Sequence, residues 1–530
     1  MIPRKSVAVR YSILVFMFSW LFHCGPDKPH TMPEPRQTYE KTMTLQQVQE
    51  ALKSKTWSER STAILAAMDG NHREVIPTLY ELFEKDDNAA VRQTAALALA
   101  DFGEKRAAPL IAQRLGTLRG ENPAYLLDAL SRLSVSSTAT AVVPYLGDEN
   151  HSIRLQAVAA LEQMNARSVG PQILTGLQKT PASEADRQRA YIMALGMVSY
   201  EPAGPVLLQL ARTLDDGPNL AATYLALGRI KYRPATPILI KALQADFVKG
   251  RENSLQAILD TEDPRAPSLS FPLIKNERRE TRFAAAEIIG TIADPSLNEK
   301  LVSLIDGAYP DAVGPAAYAL GRRKYQPARL PIEKILADQE LPDRETIARS
   351  LGWLGDKESV PVLLEVLKED EGEGRYGAAW SLGILEAREA IPALMKTAQS
   401  RDQRLAMISV EAIGMMRDPS TLSFLTDIAE RDTSSRYMAI DAIGQIPGDE
   451  ALDRLKELVD SGDEKLKQAA IRSLRYRKEP QVVGILIDTL RETDTTSTSA
   501  TMIYTLLREK TGQEFYTRNQ WLYWYDEVRK

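Results

Sequence analysis

A single cysteine, Cys24, in 530 residues leaves no partner for an internal disulfide, no thiolate cluster and no Cys-x-x-Cys redox pair. Histidine is almost as scarce. Among His23, His30, His72 and His151 no two stand at ligand spacing and none adjoins a glutamate, so the pattern offers no His-based metal site. No apolar run approaches the ~20 residues of a bilayer-crossing helix. Apolar-polar alternation bounded by turn signals is missing too, which removes the usual mark of strands. Nucleophile elbows and Walker loops are absent. Gly372-Glu-Gly374-Arg-Tyr-Gly377 spells a dinucleotide-type glycine spacing but follows a helical segment, so these glycines read as a turn. Basic residues are in slight deficit, 66 against 71 acidic, for a net charge of −5. That balance gives no overall attraction to nucleic acid or anionic lipid. The expectation is a chain without cofactor, metal, nucleic-acid partner or catalytic constellation.

What is present begins at the N-terminus. Arg4, Lys5 and Arg10 precede an uncharged apolar run from Tyr11 to Phe22, the layout of a secretory signal over residues 1–24. Leu21-Phe22-His23-Cys24 resembles a bacterial lipobox in its leucine and cysteine, while Phe22 and His23 stand where that box carries small residues. The resemblance implies lipidation of Cys24 and a membrane-anchored protein of the bacterial cell envelope. A non-lipidated secretory signal and an uncleaved anchor are the other readings. Pro26, Pro29, Pro33 and Pro35 then make residues 25–43 an extended tether, because proline fixes φ and lacks a helix donor.

From residue 44 to about 510 the sequence repeats. An apolar-then-small pair recurs at steps of 30–34 residues, its second member falling at Met68, Ala100, Ser131, Glu162, Gly196, Gly228, Asp260, Gly290, Gly321, Gly352, Gly383, Gly414, Gly444, Arg475 and Leu507. Leucine or isoleucine precedes this anchor in fourteen of the fifteen units. Nine residues after the anchor stand Pro77, Pro109, Pro171, Pro205, Pro237, Pro361 and Pro392, each marking a helix start, where a missing N–H costs nothing. Apolar residues follow at three- and four-residue spacing. Two short amphipathic helices per unit make a hairpin that cannot bury both faces alone, so neighbours must cover it. The fold expected is all-α, a solenoid of about fifteen stacked hairpins, which at roughly 9 Å per layer is an arc about 130 Å long. Units around Ser131, Asp260 and Arg475 keep the register least well.

The stretch from Asp87 to Ala100, Asp-Asn-Ala-Ala-Val-Arg-Gln-Thr-Ala-Ala-Leu-Ala-Leu-Ala, and that from Arg375 to Leu385 resemble HEAT repeats of the short, phycobilin-lyase type. The resemblance implies ladders between repeats built from a turn aspartate and the following arginine: Asp87 with Arg92, Asp148 with Arg154, Asp432 with Arg436. It also implies a concave face lined by second helices beginning near Arg92, Arg282, Arg375, Arg404 and Arg436.

Two further features bear on partners. Tyr200, Tyr232 and Tyr325 recur at the turn between hairpins, two of them beside basic clusters, Arg229, Lys231 and Arg233, then Arg322, Arg323 and Lys324. Tyrosine and arginine are frequent binding hot spots, so Tyr200, Arg229, Lys231, Tyr232, Arg322, Arg323, Lys324 and Tyr325 are candidate partner contacts. The alternative is that the tyrosines simply pack on the next hairpin. Residues 511–530 are rich in aromatics, with Trp521, Trp524 and Tyr525 on one helical face, suited to capping the last hairpin or to forming a binding patch. The functional expectation is an exported, lipid-anchored scaffold for a protein partner. A bilin lyase-like tetrapyrrole handler and a structural envelope protein without a discrete partner are the alternatives.

Overall fold

The computed structural model describes residues 43–530 apart from 307–308, 371, 432–433, 514, 516 and 529–530. The leader, Cys24, the tether up to residue 42 and Asp432 lie outside the described residues. Among the described residues there are helices and turns and no strand, as the periodicity predicts.

Each regular unit has the same parts. A 3-10 turn leads into a helix whose second residue is proline, as at Pro77 in Ile76–Lys85, Pro109 in Ala108–Leu115 and Pro361 in Val360–Glu369. A polar turn follows and caps the second helix: Asn88 accepts from the Ala90 N–H at 2.9 Å, and Asn150 from the Ser152 N–H at 2.9 Å. Such caps satisfy donors that a helix start leaves free. The second helix ends three residues past the anchor in the left-handed region, at Asn71, Asn165, Ser199, Lys231 and Lys324, with φ between 47° and 54°. That conformation lets the next N–H turn back, Tyr200 donating to the Leu195 carbonyl at 3.1 Å and Tyr232 to Leu227 at 3.0 Å, a Schellman closure.

The second helices stack on one another at backbone distance. A Cβ added to Gly383 would lie 2.7 Å from Ala412 Cα, one on Gly414 2.9 Å from Ala442 Cα, and one on Gly352 3.0 Å from Ser381 Cα. The anchor of one unit therefore rests on an alanine or serine two residues before the anchor of the next. The proline-led helices meet their neighbours much more sparsely. Close spacing in one layer and wide spacing in the other bends the stack, with the second helices on the concave side.

The irregular units have local causes. After Pro123–Leu133 the proline-led helix is replaced by two 3-10 segments, Ser136–Ala141 and Val143–Gly147, where Pro144 removes an amide donor. Pro272 likewise breaks Ala266–Ser270 into the 3-10 segment Phe271–Lys275. The register near Asp260 is corrected by one residue. Gly228 meets Ala257, and the left-handed residue is Glu262, so Leu259 holds the anchor position.

The last helix reaches the first unit. In helix Arg518–Tyr523, Gln520 donates its side-chain amide to the Met68 carbonyl at 2.7 Å and Asn519 donates to the Asp69 carboxylate at 2.9 Å. The final helix thus clasps the end of helix Trp57–Asp69 in the first unit. Behind the clasp Trp521 is fully buried, edge-to-face with Phe515 at 5.1 Å and Trp524 at 5.7 Å, while Tyr523 faces solvent.

Two outcomes follow from this packing. Gly383→Val lowers the free energy of unfolding by roughly 2 kcal/mol or more, the cost of forcing atoms into a filled contact, whereas Gly462→Ala, with nothing nearby, leaves urea denaturation unchanged. Asn519→Ala combined with Gln520→Ala accelerates amide hydrogen exchange in Trp57–Asp69 and leaves Arg344–Leu354 protected.

Candidate interaction face

In several units an arginine at the start of the second helix serves two units, and Arg60, Arg92, Arg154, Arg282 and Arg344 are buried. Arg92 donates to the carbonyls of Asp86 at 2.7 Å and Asp87 at 3.1 Å in its own turn, and to the Glu121 carboxylate of the next unit at 2.5 Å. Arg154 takes the Asp148 and Glu149 carbonyls at 2.8 and 2.9 Å and faces Asp186 at 3.8 Å. Arg375 pairs with Asp402 at 2.9 Å, and Arg344 with Asp370. The pairs that the resemblance implies, Asp87 with Arg92 and Asp148 with Arg154, meet through the aspartate carbonyls and not through the carboxylates. The Asp87 carboxylate accepts from Arg60 of the preceding unit at 3.0 Å rather than from Arg92, and Asp148 serves Arg154 through its carbonyl. The physical reason is the helix end: carbonyls left without an intrahelical partner face the arginine directly, and its remaining N–H groups point on to the next layer. Arg436 donates to the Ala429 carbonyl at 2.8 Å and lies 3.8 Å from Asp463 of the next unit. Burial works against ionisation of Glu121, but hydrogen bonds from Arg92 and the Arg119 N–H outweigh it and hold its pKa below the ordinary carboxylate value. At the glycine-rich turn the open side of Gly374 accommodates the Asp370–Arg344 pair, and the Gly372 N–H donates to Asp370 at 2.6 Å.

On the concave layer, four aromatics from four consecutive second helices form a ladder. Phe283 meets Tyr318 at 6.1 Å, Tyr318 meets Trp353 at 5.0 Å and Trp353 meets Trp380 at 5.4 Å, all edge-on. Arg279 lies 4.6 Å over Phe283, Arg349 5.0 Å over Trp380, and Arg404 4.4 Å over Tyr376. The same helices carry ion pairs that skip a layer: Arg279 with Asp343 at 2.7 Å, and Arg404 with Glu345 at 2.5 Å. Gly314 and Gly377 lie in the skipped layers, where a side chain would strike Asp343 and the Glu345 carbonyl respectively. Burial, and then the adjacent Glu287 carboxylate, push the Tyr318 phenol well above its ordinary pKa, and its O–H donates to Glu287. The helices of this face include those that the resemblance places on the concave side, but the ladder itself is not singled out from the sequence. Its only signal there is one aromatic in each of four successive second helices, seven and three residues before the anchor at Phe283 and Tyr318, one after it at Trp353 and three before it at Trp380, visible once the stacking is known.

The family model for HEAT repeats matches residues 45–121, 299–383, 360–436 and 428–506. The chain belongs to the HEAT-repeat family. Among solved structures, the karyopherin Kap121p bound to the extreme C-terminus of the protein phosphatase Cdc14p is 13% identical with a TM-score of 0.36, and the match covers 91% of this chain and 64% of that one. The chain therefore spans less than two thirds of that neighbour. Importin beta is 13% identical with a TM-score of 0.42, covering 90% and 76%. The CpcE–CpcF complex of phycocyanin lyase from Nostoc sp. PCC7120 is 19% identical with a TM-score of 0.31, covering 46% and 94%. No curated protein matches the sequence.

Within this HEAT array the candidate partner contacts divide. Arg229, against Met197, and Arg322, 3.6 Å from Glu287, follow their anchors directly, the position that Trp353 holds in the ladder. Lys231, Arg323, Lys324 and the tyrosines belong to the turns instead. Lys231 pairs with Glu262 at 3.1 Å. Tyr200 packs over Gly170 and Tyr232 over Gly204, where an added Cβ would come within 2.2 and 2.3 Å of the rings. Tyr325 donates to Glu299. In the unit after Tyr232, Asp263 replaces the tyrosine and accepts from Thr236 at 2.7 Å and from Arg265 at 2.7 Å. Burial opposes the charge of Asp263, but the Arg265 and Thr236 hydrogen bonds prevail and bring its pKa from 3.8 to about 2.

A carboxylate whose pKa is depressed on folding stabilises the protein above its unfolded value and loses that contribution as pH falls through the folded value. Asp263→Asn is therefore less stable than the parent by about 2 kcal/mol at pH 7, and the gap closes between pH 4 and pH 2, as urea titrations at several pH values measure.

Proposed function

We propose that this chain is an exported, lipid-anchored HEAT scaffold that holds a protein partner on its concave face. The observation that carries the partner reading is the aromatic ladder from Phe283 to Trp380 with Arg279, Arg349 and Arg404 on its edges. Aromatic and arginine side chains supply most binding energy at protein interfaces, because large flat groups lose little entropy and the guanidinium donates in several directions. The ion pairs that skip a layer support it further. They bind alternate helices together and pre-organise the face, which lowers the ordering cost of association. Arg229 and Arg322 extend the same stripe with positive charge. Export and anchoring rest on the basic, apolar and Leu-x-x-Cys order of residues 1–24.

Crosslinking and affinity purification from the native cell, combined with intact mass, tests both parts. The mature protein begins at a diacylglyceryl-modified Cys24 and brings down a stoichiometric protein. Arg229→Glu with Arg322→Glu, and separately Trp353→Ala, weaken that capture by about tenfold or more while helical circular dichroism is preserved. Undiminished capture by both variants overturns the concave-face reading, and an unmodified N-terminus overturns the anchor.

A further inference from the structure

A cavity of about 510 Å³ opens between the units anchored at Gly290 and Gly321, lined by Gly290, Thr291, Ala293, Asn298, Arg323, Lys324, Tyr325, Gln326 and Pro327. It exists because two residues depart from the repeat. The first is Asn298, the opening residue of helix Asn298–Ile305. Two other units have glycine there, Gly170 and Gly204, and the next tyrosine ring closes down on it. A ring cannot occupy that place over asparagine. Tyr325 is drawn aside to Glu299, and the space is left open.

The second departure is Arg323, two residues after its anchor. The equivalent residues Val198, Ile230, Leu354, Leu385 and Met416 are apolar and buried. Arg477 also takes this position, but it donates to the Gly448 carbonyl at 2.6 Å and to Glu479 at 2.7 Å. Among the described residues Arg323 has no such partner: its buried Nη1 donates to no protein group there, and the buried Oδ1 of Asn298 accepts from none. Burial pulls the guanidinium pKa below its ordinary value, with the Asp294 charge opposing. A half-buried cation in a place built for a hydrophobe is costly unless an acceptor arrives. Lys324, held left-handed at φ 53°, adds a second cation at the rim.

We infer that this cavity is a binding site for an acidic peptide segment, one carboxylate side chain reaching Arg323 and Lys324 and a neighbouring backbone N–H reaching Asn298 Oδ1. The site asks for an acceptor and a donor side by side, which a peptide carrying aspartate or glutamate supplies. Asp294 and Glu299 close by disfavour a dianion such as phosphate, since like charges repel at short range. The inference rests on the reading that the chain binds protein, but it places this contact in the turns between hairpins, away from the ladder.

The test is fluorescence anisotropy of the full chain at low salt with an amide-capped pentapeptide carrying one central aspartate and an uncharged fluorescent label. Two comparison peptides carry asparagine there, or no acid but a free C-terminal carboxylate. The aspartate peptide binds, and the asparagine peptide binds at least about tenfold more weakly, as expected when a charge-assisted hydrogen bond is lost. Arg323→Met and Asn298→Gly each reduce binding of the aspartate peptide to the same degree. Arg323→Met also raises the melting temperature, since it restores the residue type of the other units. Equal binding of the asparagine peptide, binding of the free-terminus peptide alone, displacement by inorganic phosphate in preference to the peptide, or full affinity in Arg323→Met overturns the assignment. Trp353→Ala keeps full peptide affinity, so failure of the concave-face reading and failure of this one register separately.

Discussion

The contact between an anchor glycine and the alanine or serine of the next second helix is the constraint on which the rest depends. With Gly383 against Ala412 and Gly414 against Ala442, the concave layer stacks at backbone distance, while the proline-led helices, spaced by larger side chains, follow a longer path. Curvature is therefore written residue by residue as a difference in side-chain volume between two layers. Accumulated over the array, it brings Gln520 and Asn519 to the first unit. The same closeness lets aromatics on successive helices touch edge to edge.

Charge is organised around that packing. Buried arginines such as Arg92 are compensated on two sides, by carbonyls of their own turn and a carboxylate of the next unit, which offsets much of their desolvation cost. A repeated pair of this kind fixes the rotation of each unit on its neighbour, because both ends of the fork must be met at once. Between Arg279 and Arg404 the network reaches over a whole layer at Gly314 and at Gly377, which stiffens the part of the array that carries the ladder. Stiffness and aromatic area occur together there, the combination that a binding face needs.

Where the repeat is kept, its residues explain themselves by packing. Tyr200 and Tyr232 are space-fillers over glycine, and Asp263 with Thr236 is a polar version of the same contact. Asn298 and Arg323 satisfy neither rule. They open a cavity and place in it a guanidinium whose buried Nη1 has no hydrogen-bond partner among the described residues, a cost that stacking does not require. In an array of near-identical units, such local exceptions separate function from architecture more sharply than residue type alone.

The sequence by itself determined the helical hairpin, its period and its membership of a stacked array, because anchor, proline and arginine recur in phase and each acts within its own unit or on its immediate neighbour. It also carried the glycine anchors and the cap residues, which are local. It did not determine which acid meets which arginine, since the choice between Asp87 and Glu121 for Arg92 depends on where the next turn lies in space. Nor did it separate Arg322, on the concave stripe, from Arg323, in the turn cavity, although the two are adjacent. The ladder from Phe283 to Trp380, the layer-skipping ion pairs and the clasp of residues 519–520 on residues 68–69 join positions up to 452 residues apart. Those were decided only by the tertiary structure, because the sum of many small rotations between units, rather than any local pattern, sets which distant side chains come within reach.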